Sequence, residues 1–350
     1  MGRAAGRERR ISAPVNLSDV AAAAGVSIAT ASRALAGKPR VSRETFLRVH
    51  TVAAELGYRV DPIARALREG SSRLIGMIVP VIGNPFFAQL VDAVEEEVNR
   101  AGFELLLADS HGFIEEEIRR LRVLGERKVD GLVVIPADRD ASADALRYLP
   151  DGTPVVQVDR ATDTAVADFV GVDNERGIQL VLEHLKEKGA ESVVFAGSDD
   201  ATSSGVERWE AFHRLAGRGG FDVGDGYRSE FSIASGVAAA NRFMKAGLPD
   251  AVVAASDLIA IGLLSRFRES GVRVPDDVLV TGFDGSEFAT VVWPTLTTVV
   301  QPVTTIGADA AALLLSRIGG ESGPYRRSRV SPSLQLGEST RTHVSRAGSS

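Results

Sequence analysis

The sequence predicts an α/β protein with a small all-α head, and three observations predict it. Residues 17–36, LSDVAAAAGVSIATASRALA, read as two short helices joined by a tight turn. From Arg73 onward, apolar runs of strand length alternate with amphipathic helical stretches in two successive groups. Such alternation gives parallel sheets covered by helices on both faces. Charge divides at the same boundary: residues 1–70 hold 12 Lys+Arg against 6 Asp+Glu, while the other 280 hold 28 against 40.

In the head, Ser18 is the expected cap of a first helix with Val20, Ala21 and Ala24 on its apolar face. Gly25 supplies the positive φ at which that helix stops. Ser27 caps a second helix, the small residues Ala21, Ala24 and Ala31 let the two cross closely, and Val26 fills the space beneath the turn. A third helix is expected from Ser42 to Leu56, with Phe46, Val49, Val52, Ala53 and Leu56 at helical spacing. This is a helix-turn-helix, whose second helix lies in the DNA major groove. That helix would expose Ile28, Ala29 and Arg33. Arg33 carries the fork suited to guanine or to phosphate, Ile28 and Ala29 offer apolar contact to a thymine methyl, and Ser27, Thr30 and Ser32 lie within reach of the backbone. A basic head on an acidic body agrees with this reading.

The segment YRVDPIARALREG (58–70) opens a fourth short helix, with Asp61 as cap, Pro62 at its first position and Ile63, Ala64 and Leu67 on one face. With what precedes it, it completes a succession of motifs: Asp19-Val20-Ala21, Ala24-Gly25-Val26-Ser27, Thr30, Ser32-Arg33, Val41-Ser42, Leu56-Gly57-Tyr58, Ala64-Arg65 and Leu67. In these motifs the chain resembles the lac repressor (LacI/GalR) family of transcription factors. It departs from the family at Val60-Asp61, where Pro-Asn is usual. The resemblance implies that 61–72 is a hinge helix and linker, with Ala64 and Leu67 binding DNA and Leu67 the wedge that enters the minor groove and kinks the duplex. A helix this short is marginal alone and would form only when two chains and DNA hold it.

Composition narrows the function classes. The chain has 350 residues, enough for two or three domains, and no cysteine, hence no disulfide framework or thiolate metal site. Residues 1–14 read as a flexible basic arm without the apolar run of a secretory signal. The apolar stretch around Leu74–Ile82 is too short to span a membrane. No G-x-S-x-G, Walker lysine loop or G-x-G-x-x-G occurs, and the histidines (His50, His111, His184, His213 and His343) lack metal-ligand spacing. No catalytic residue, cofactor or metal is therefore expected, and the protein is read as a cytoplasmic binding protein rather than an enzyme. The basic helix-turn-helix head argues against an exported solute-binding protein.

In the body (73–340), LIGMIVPV (74–81), FELLLAD (103–109), GLVVIPA (131–137), PVVQVDR (154–160) and FVGVD (169–173) read as one group of strands. Helices are expected at Pro85–Ala101 and Glu115–Arg127. VVFAGS (193–198), AVVAAS (251–256) and VLVTGFD (278–284) form a second group, with helices at Ser204–Ala216, Ser235–Ala246 and Leu258–Ser270. Splits near 159–175 and again near Val280–Thr298 give two lobes with a cleft between them. The resemblance implies the two-lobed fold of type-I periplasmic sugar-binding proteins.

Ligands of open α/β sheets lie at the carboxyl ends of the strands. Those ends carry Asn84, Phe86, Phe87, Asp159, Arg160, Arg208, Phe231, Ser256, Asp284 and Gln301. Aromatic rings cover the C–H faces of a sugar, while carboxylates accept from and arginines donate to its hydroxyls. The positions are similar to the cleft of ribose-binding proteins and sugar-responsive family members, except that Ser256 stands where those relatives carry Asn. Thr202 stands where purine-responsive relatives carry arginine. The expected function is a homodimeric regulator, a repressor by family resemblance, binding an inverted-repeat operator under control of a monosaccharide such as ribose. The alternatives are a purine, nucleoside or phosphorylated effector, or an activator. The tail at 341–350 is polar and lacks leucine heptads, so no coiled-coil tetramer is expected.

Overall fold

The computed structural model describes residues 15–35, 41–58 and 70–341. The chain divides into two compact units, Met1–Ser72 and Arg73–Ser350. In the first, α1 (Leu17–Ala23), α2 (Ile28–Leu35) and α3 (Arg43–Glu55) close around Val20, Ala21, Ala24, Ala31, Ala34, Val49 and Ala53. The cap of α1 is Asn16, not Ser18: its carboxamide accepts from the amides of Ser18 and Asp19, and Asp19 accepts in return from the amide of Asn16. A residue inside the first turn cannot reach those amides, which is why Ser18 fails as the cap. Ser27 accepts from the amide of Thr30 at 3.1 Å, and Ser42 from that of Thr45 at 3.2 Å. Phe46 and Leu56 stay exposed, so the apolar face of α3 is narrower than its spacing suggests.

Gly25 has φ +66°, and a Cβ there would meet nothing within 4 Å. The cost of a side chain is thus purely conformational. Gly25→Ala should destabilise the helix pair by about 1 kcal/mol. Amide exchange in α1 and α2 of the full chain should quicken about fivefold; unchanged exchange would show that the turn tolerates another geometry.

The second unit holds two six-stranded sheets. The first runs β11 (Arg327–Val330), β5 (Asp168–Val172), β4 (Val155–Val158), β3 (Gly131–Val134), β1 (Leu74–Val79), β2 (Glu104–Asp109). The second runs β12 (Ser333–Gln335), β10 (Thr297–Val300), β9 (Leu279–Asp284), β8 (Ala251–Ala254), β6 (Ser192–Ala196), β7 (Asp222–Val223). Both repeat one strand order, and all pairings are parallel except that of β10 with β12. The central strands β3, β5 and β9 are buried along their whole length, as continuous apolar runs require.

Helices cover the sheets. In the first lobe α4 (Pro85–Arg100) buries Phe86, Phe87, Leu90, Val94 and Val98, and α5 (Ile114–Glu126) and the short α6 (Ala141–Ala145) follow β2 and β3. In the second lobe lie α7 (Asn174–Glu187), α8 (Ser203–Arg218), α9 (Ile233–Ala246), α10 (Asp257–Glu269) and the short α11 (Phe288–Val291). The chain crosses between lobes three times. The first crossing, between β5 and α7, falls within the expected window. The return is not at Val280–Thr298, where β9, α11 and β10 all belong to the second lobe; it is at Gln301–Pro302, after which α12 (Val303–Ile318) packs on α4. Gly307 allows that approach, since a Cβ there would lie 2.6 Å from Ala93 Cβ. The third crossing joins β11 to β12. Buried Asp168 clamps the returning segment, accepting from Arg317 Nε at 2.7 Å, Arg317 Nη2 at 2.9 Å and the amide of Arg326 at 2.7 Å.

Candidate effector cleft and DNA-reading helix

Strand ends of the two lobes face each other across a narrow cavity. Asn84, Phe86 and Phe87, from the start of α4, line it with Asp159 and Arg160 after β4, Arg208 on α8, Phe231 before α9, Ser256 before α10 and Asp284 at the end of β9. Gln301 is not in the lining: it stands behind Asp284, its Nε2 donating to Asp284 Oδ1 at 2.9 Å. Ser204 completes the lining. It escaped sequence reading, although it lies one helical turn before Arg208 on the same face of α8.

Local chemistry fixes each group. Asn84 caps α4, its Oδ1 accepting from the amide of Phe86 at 3.1 Å, and Pro85 occupies the first helical position. Ser256 caps α10, accepting from the amide of Ile259. Asp159 and Asp284 both adopt positive φ, +62° and +131°. Non-glycine residues hold such conformations only where the surroundings over-determine them, commonly at functional sites. Arg208 lies against the Phe283 ring, 3.7 Å from its centroid, and donates to Asn174 Oδ1 at 2.7 Å and to the Ala255 carbonyl at 2.8 Å. Its Nη1 is 3.8 Å from Asp284 Oδ1. The Arg160 guanidinium bridges the lobes between Phe87 and Phe231, 5.4 and 5.7 Å from their centroids.

Burial pushes the carboxyls of Asp159 and Asp284 above the ordinary range, with Arg208 the main opposing charge at each. Asp257, behind the cavity, is pushed up to about 6 by burial, although Thr298 and the amide of Ser286 donate to it. Asp159 Oδ1, Arg160 Nε and Gln301 Oε1 are buried without a hydrogen-bond partner. Buried polar atoms are nearly always paired. An acceptor and a donor thus stand without hydrogen bonds beside the aromatic rings.

In the head, α2 presents Ile28 54% exposed, beside exposed Ala29 and Arg33. A large apolar side chain so exposed on a helix gains nothing from intramolecular packing. Arg33 Nε donates to the Ala29 carbonyl at 3.1 Å, and Ser27 and Thr30 share a hydrogen bond of 2.9 Å. Ser32 is half-buried on the same helix. Ala64 and Leu67 lie outside the described residues.

Residues 16–61 match the model of bacterial regulatory proteins, lacI family, and residues 182–340 that of a periplasmic binding protein-like domain. The repressor PurR of Photobacterium profundum is 30% identical over 93% of this chain and 98% of its own length. The chain belongs to the lacI family. Among solved structures, the lac repressor dimer bound to operator and the anti-inducer ONPF superposes with a TM-score of 0.85 at 25% identity, over 94% of this chain and all of that one. The regulator CelR in complex with cellobiose gives a TM-score of 0.70 at 30% identity, over 93% of this chain and 99% of that one. This lacI-family protein is thus a DNA-binding transcription regulator and not an enzyme. Among the described residues no group of three His, Asp or Glu is set to hold a metal, and no helix is long and apolar enough to cross a membrane.

Proposed function

We propose that this regulator is a homodimeric, cytoplasmic repressor whose affinity for an inverted-repeat operator is set by a monosaccharide in the cleft. The observation that carries the ligand class is the cavity itself: three phenylalanines, two carboxylates and two arginines around one small space, with Asp159 Oδ1 and Arg160 Nε lacking a hydrogen-bond partner although Nε lies 3.7 Å from Asp159 Oδ2. Thr202, where a purine-responsive relative would carry arginine, is taken up in capping α8, accepting from the amide of Gly205. Two operator-bound heads require two chains, and the lac repressor relative is a dimer on its operator.

Ligand and operator binding are linked through the two states of the body, so each shifts the affinity for the other by the same factor. Thermal stability against a panel of pentoses, hexoses, nucleosides and purines tests the ligand class, because a ligand of the folded state raises the melting temperature. A pentose or hexose should stabilise the protein, and Asp284→Ala should remove that shift. Stabilisation by a purine alone overturns the sugar assignment and leaves the regulator. On operator fragments selected from genomic DNA, Arg33→Ala should weaken binding about tenfold or more; equal binding removes Arg33 from the interface.

A further inference from the structure

Beside the paired guanidinium–carboxylate bonds from Arg329 on β11 to Glu207 on α8, two hydrogen bonds from backbone amides cross between the lobes next to the residues that line the cavity. The amide of Arg139 donates to the carbonyl of Ala201 at 2.7 Å, and the amide of Ala161 donates to Ser203 Oγ at 2.8 Å. Both donors lie in the loops after β3 and β4 of the first lobe. Both acceptors lie where the chain enters α8 of the second.

Neither lip is slack. In the first lobe the amide of Asp163 donates to the carbonyl of Arg139 at 2.9 Å, and Arg139 Nη2 lies 3.1 Å from Asp163 Oδ2. From beneath, buried Glu117 accepts from the amide of Ala137 at 2.8 Å. In the second lobe Asp199 Oδ1 accepts from the amides of Ala201 and Thr202, each at 3.2 Å. Pre-ordered lips meet at little cost in conformational entropy, so two bonds suffice to bias the lobes toward closure.

We infer that Ser203 is a positioning residue: with the Ala201 carbonyl it clasps the first lobe and sets the closure on which effector binding depends. The neighbours of the clasp give it that reach. Ala161 follows Asp159 and Arg160, and Ser203 precedes Ser204 and Arg208, so the clasp brings together the polar groups each lobe contributes to the cavity. Its regulatory meaning rests on the cleft being the effector site. Its test does not, because closure is read without any ligand.

The chain has no cysteine, so a single introduced pair labels cleanly, and mixing labelled chains with an excess of unlabelled ones leaves one labelled chain per dimer. Asp144→Cys on α6 and Asp225→Cys after β7 place one exposed spin label on each lobe of the full-length protein. Pulsed electron resonance should give a narrow distance distribution, shifted to longer distances and broadened by Ser203→Ala at an unchanged melting temperature. Ser203→Thr keeps the acceptor oxygen and should restore the narrow distribution. A broad distribution in the parent, no shift in Ser203→Ala, or failure of Ser203→Thr to restore it would each overturn the clasp.

Discussion

Replacing Arg208 with methionine should cost this protein about 3–5 kcal/mol of stability at neutral pH, the usual penalty for stranding buried charge. Arg208 is only 2% exposed. It is the largest favourable charge acting on both Asp159 and Asp284, two carboxylates that burial already pushes upward. Methionine fills similar volume, so the loss reports charge and hydrogen bonding more than a void. The deficit should depend on pH in a defined direction. A carboxyl whose folded value is raised binds more protons when folded, so it favours folding in acid. That contribution is lost as pH rises from the unfolded value, near 3.9 for Asp, through the raised folded one. Without Arg208 both carboxyls rise further, and the deficit should shrink as the pH falls toward 4. Urea denaturation of parent and variant at neutral and acidic pH measures this. A deficit that does not change with pH would mean that Arg208 acts through packing on Phe283 rather than through charge. Effector-induced stabilisation should also be lost, and Arg208→Lys, which keeps the charge but not the fork, should recover only part of it.

The cleft was legible in the sequence because one rule locates it. Residues just past the carboxyl ends of buried apolar runs face the ligand side of a parallel sheet, and Asn84, Asp159, Ser256 and Asp284 each follow such a run or end one. Phenylalanines at Phe86 and Phe87 read equally well as core, and they are both: buried against the first lobe and lining the cavity. Ser204 was missed because a serine in a first helical turn carries no signal beyond its register with Arg208. Gln301 was placed in the lining because side-chain direction beyond a strand end cannot be read from spacing; it reaches Asp284 instead.

The fold's omissions have a common cause. β11 and β12 lie at sheet edges, alternate between exposed and half-buried residues, and offer no apolar run to detect. α12 is apolar enough, but the two-residue crossing at Gln301–Pro302 gives no extended linker to mark the return. Close backbone contacts were equally silent. A Cβ at Gly236 would lie 2.1 Å from the Ile259 carbonyl, and one at Gly262 would lie 2.2 Å from that of Ile233. These glycines let α9 and α10 touch backbone to backbone, which helical spacing alone does not announce.

Effector binding should release protons, and the effector affinity should therefore rise with pH through the mildly acidic range. Burial holds the carboxyls of Asp159 and Asp284 above their ordinary values, with the charge of Glu207 adding to the rise at Asp159 and those of Asp257 and Asp159 adding to it at Asp284. A hydroxyl that donates to a carboxylate stabilises the ionised form and lowers its pKa. The free cleft then binds more protons than the occupied one between the lowered and the raised values. Linkage requires affinity to increase across that window by up to about tenfold per pH unit for each proton released. Titration calorimetry with the stabilising sugar, in buffers of different ionisation enthalpy at one acidic pH, counts the protons directly. Asp159→Asn and Asp284→Asn should each remove part of the count along with the contact, whereas Asp257→Asn, which touches no ligand, should remove little of the affinity. Proton uptake on binding would reverse the argument, since it would mean that the ligand accepts from protonated carboxyls and is itself rich in acceptors rather than hydroxyl donors.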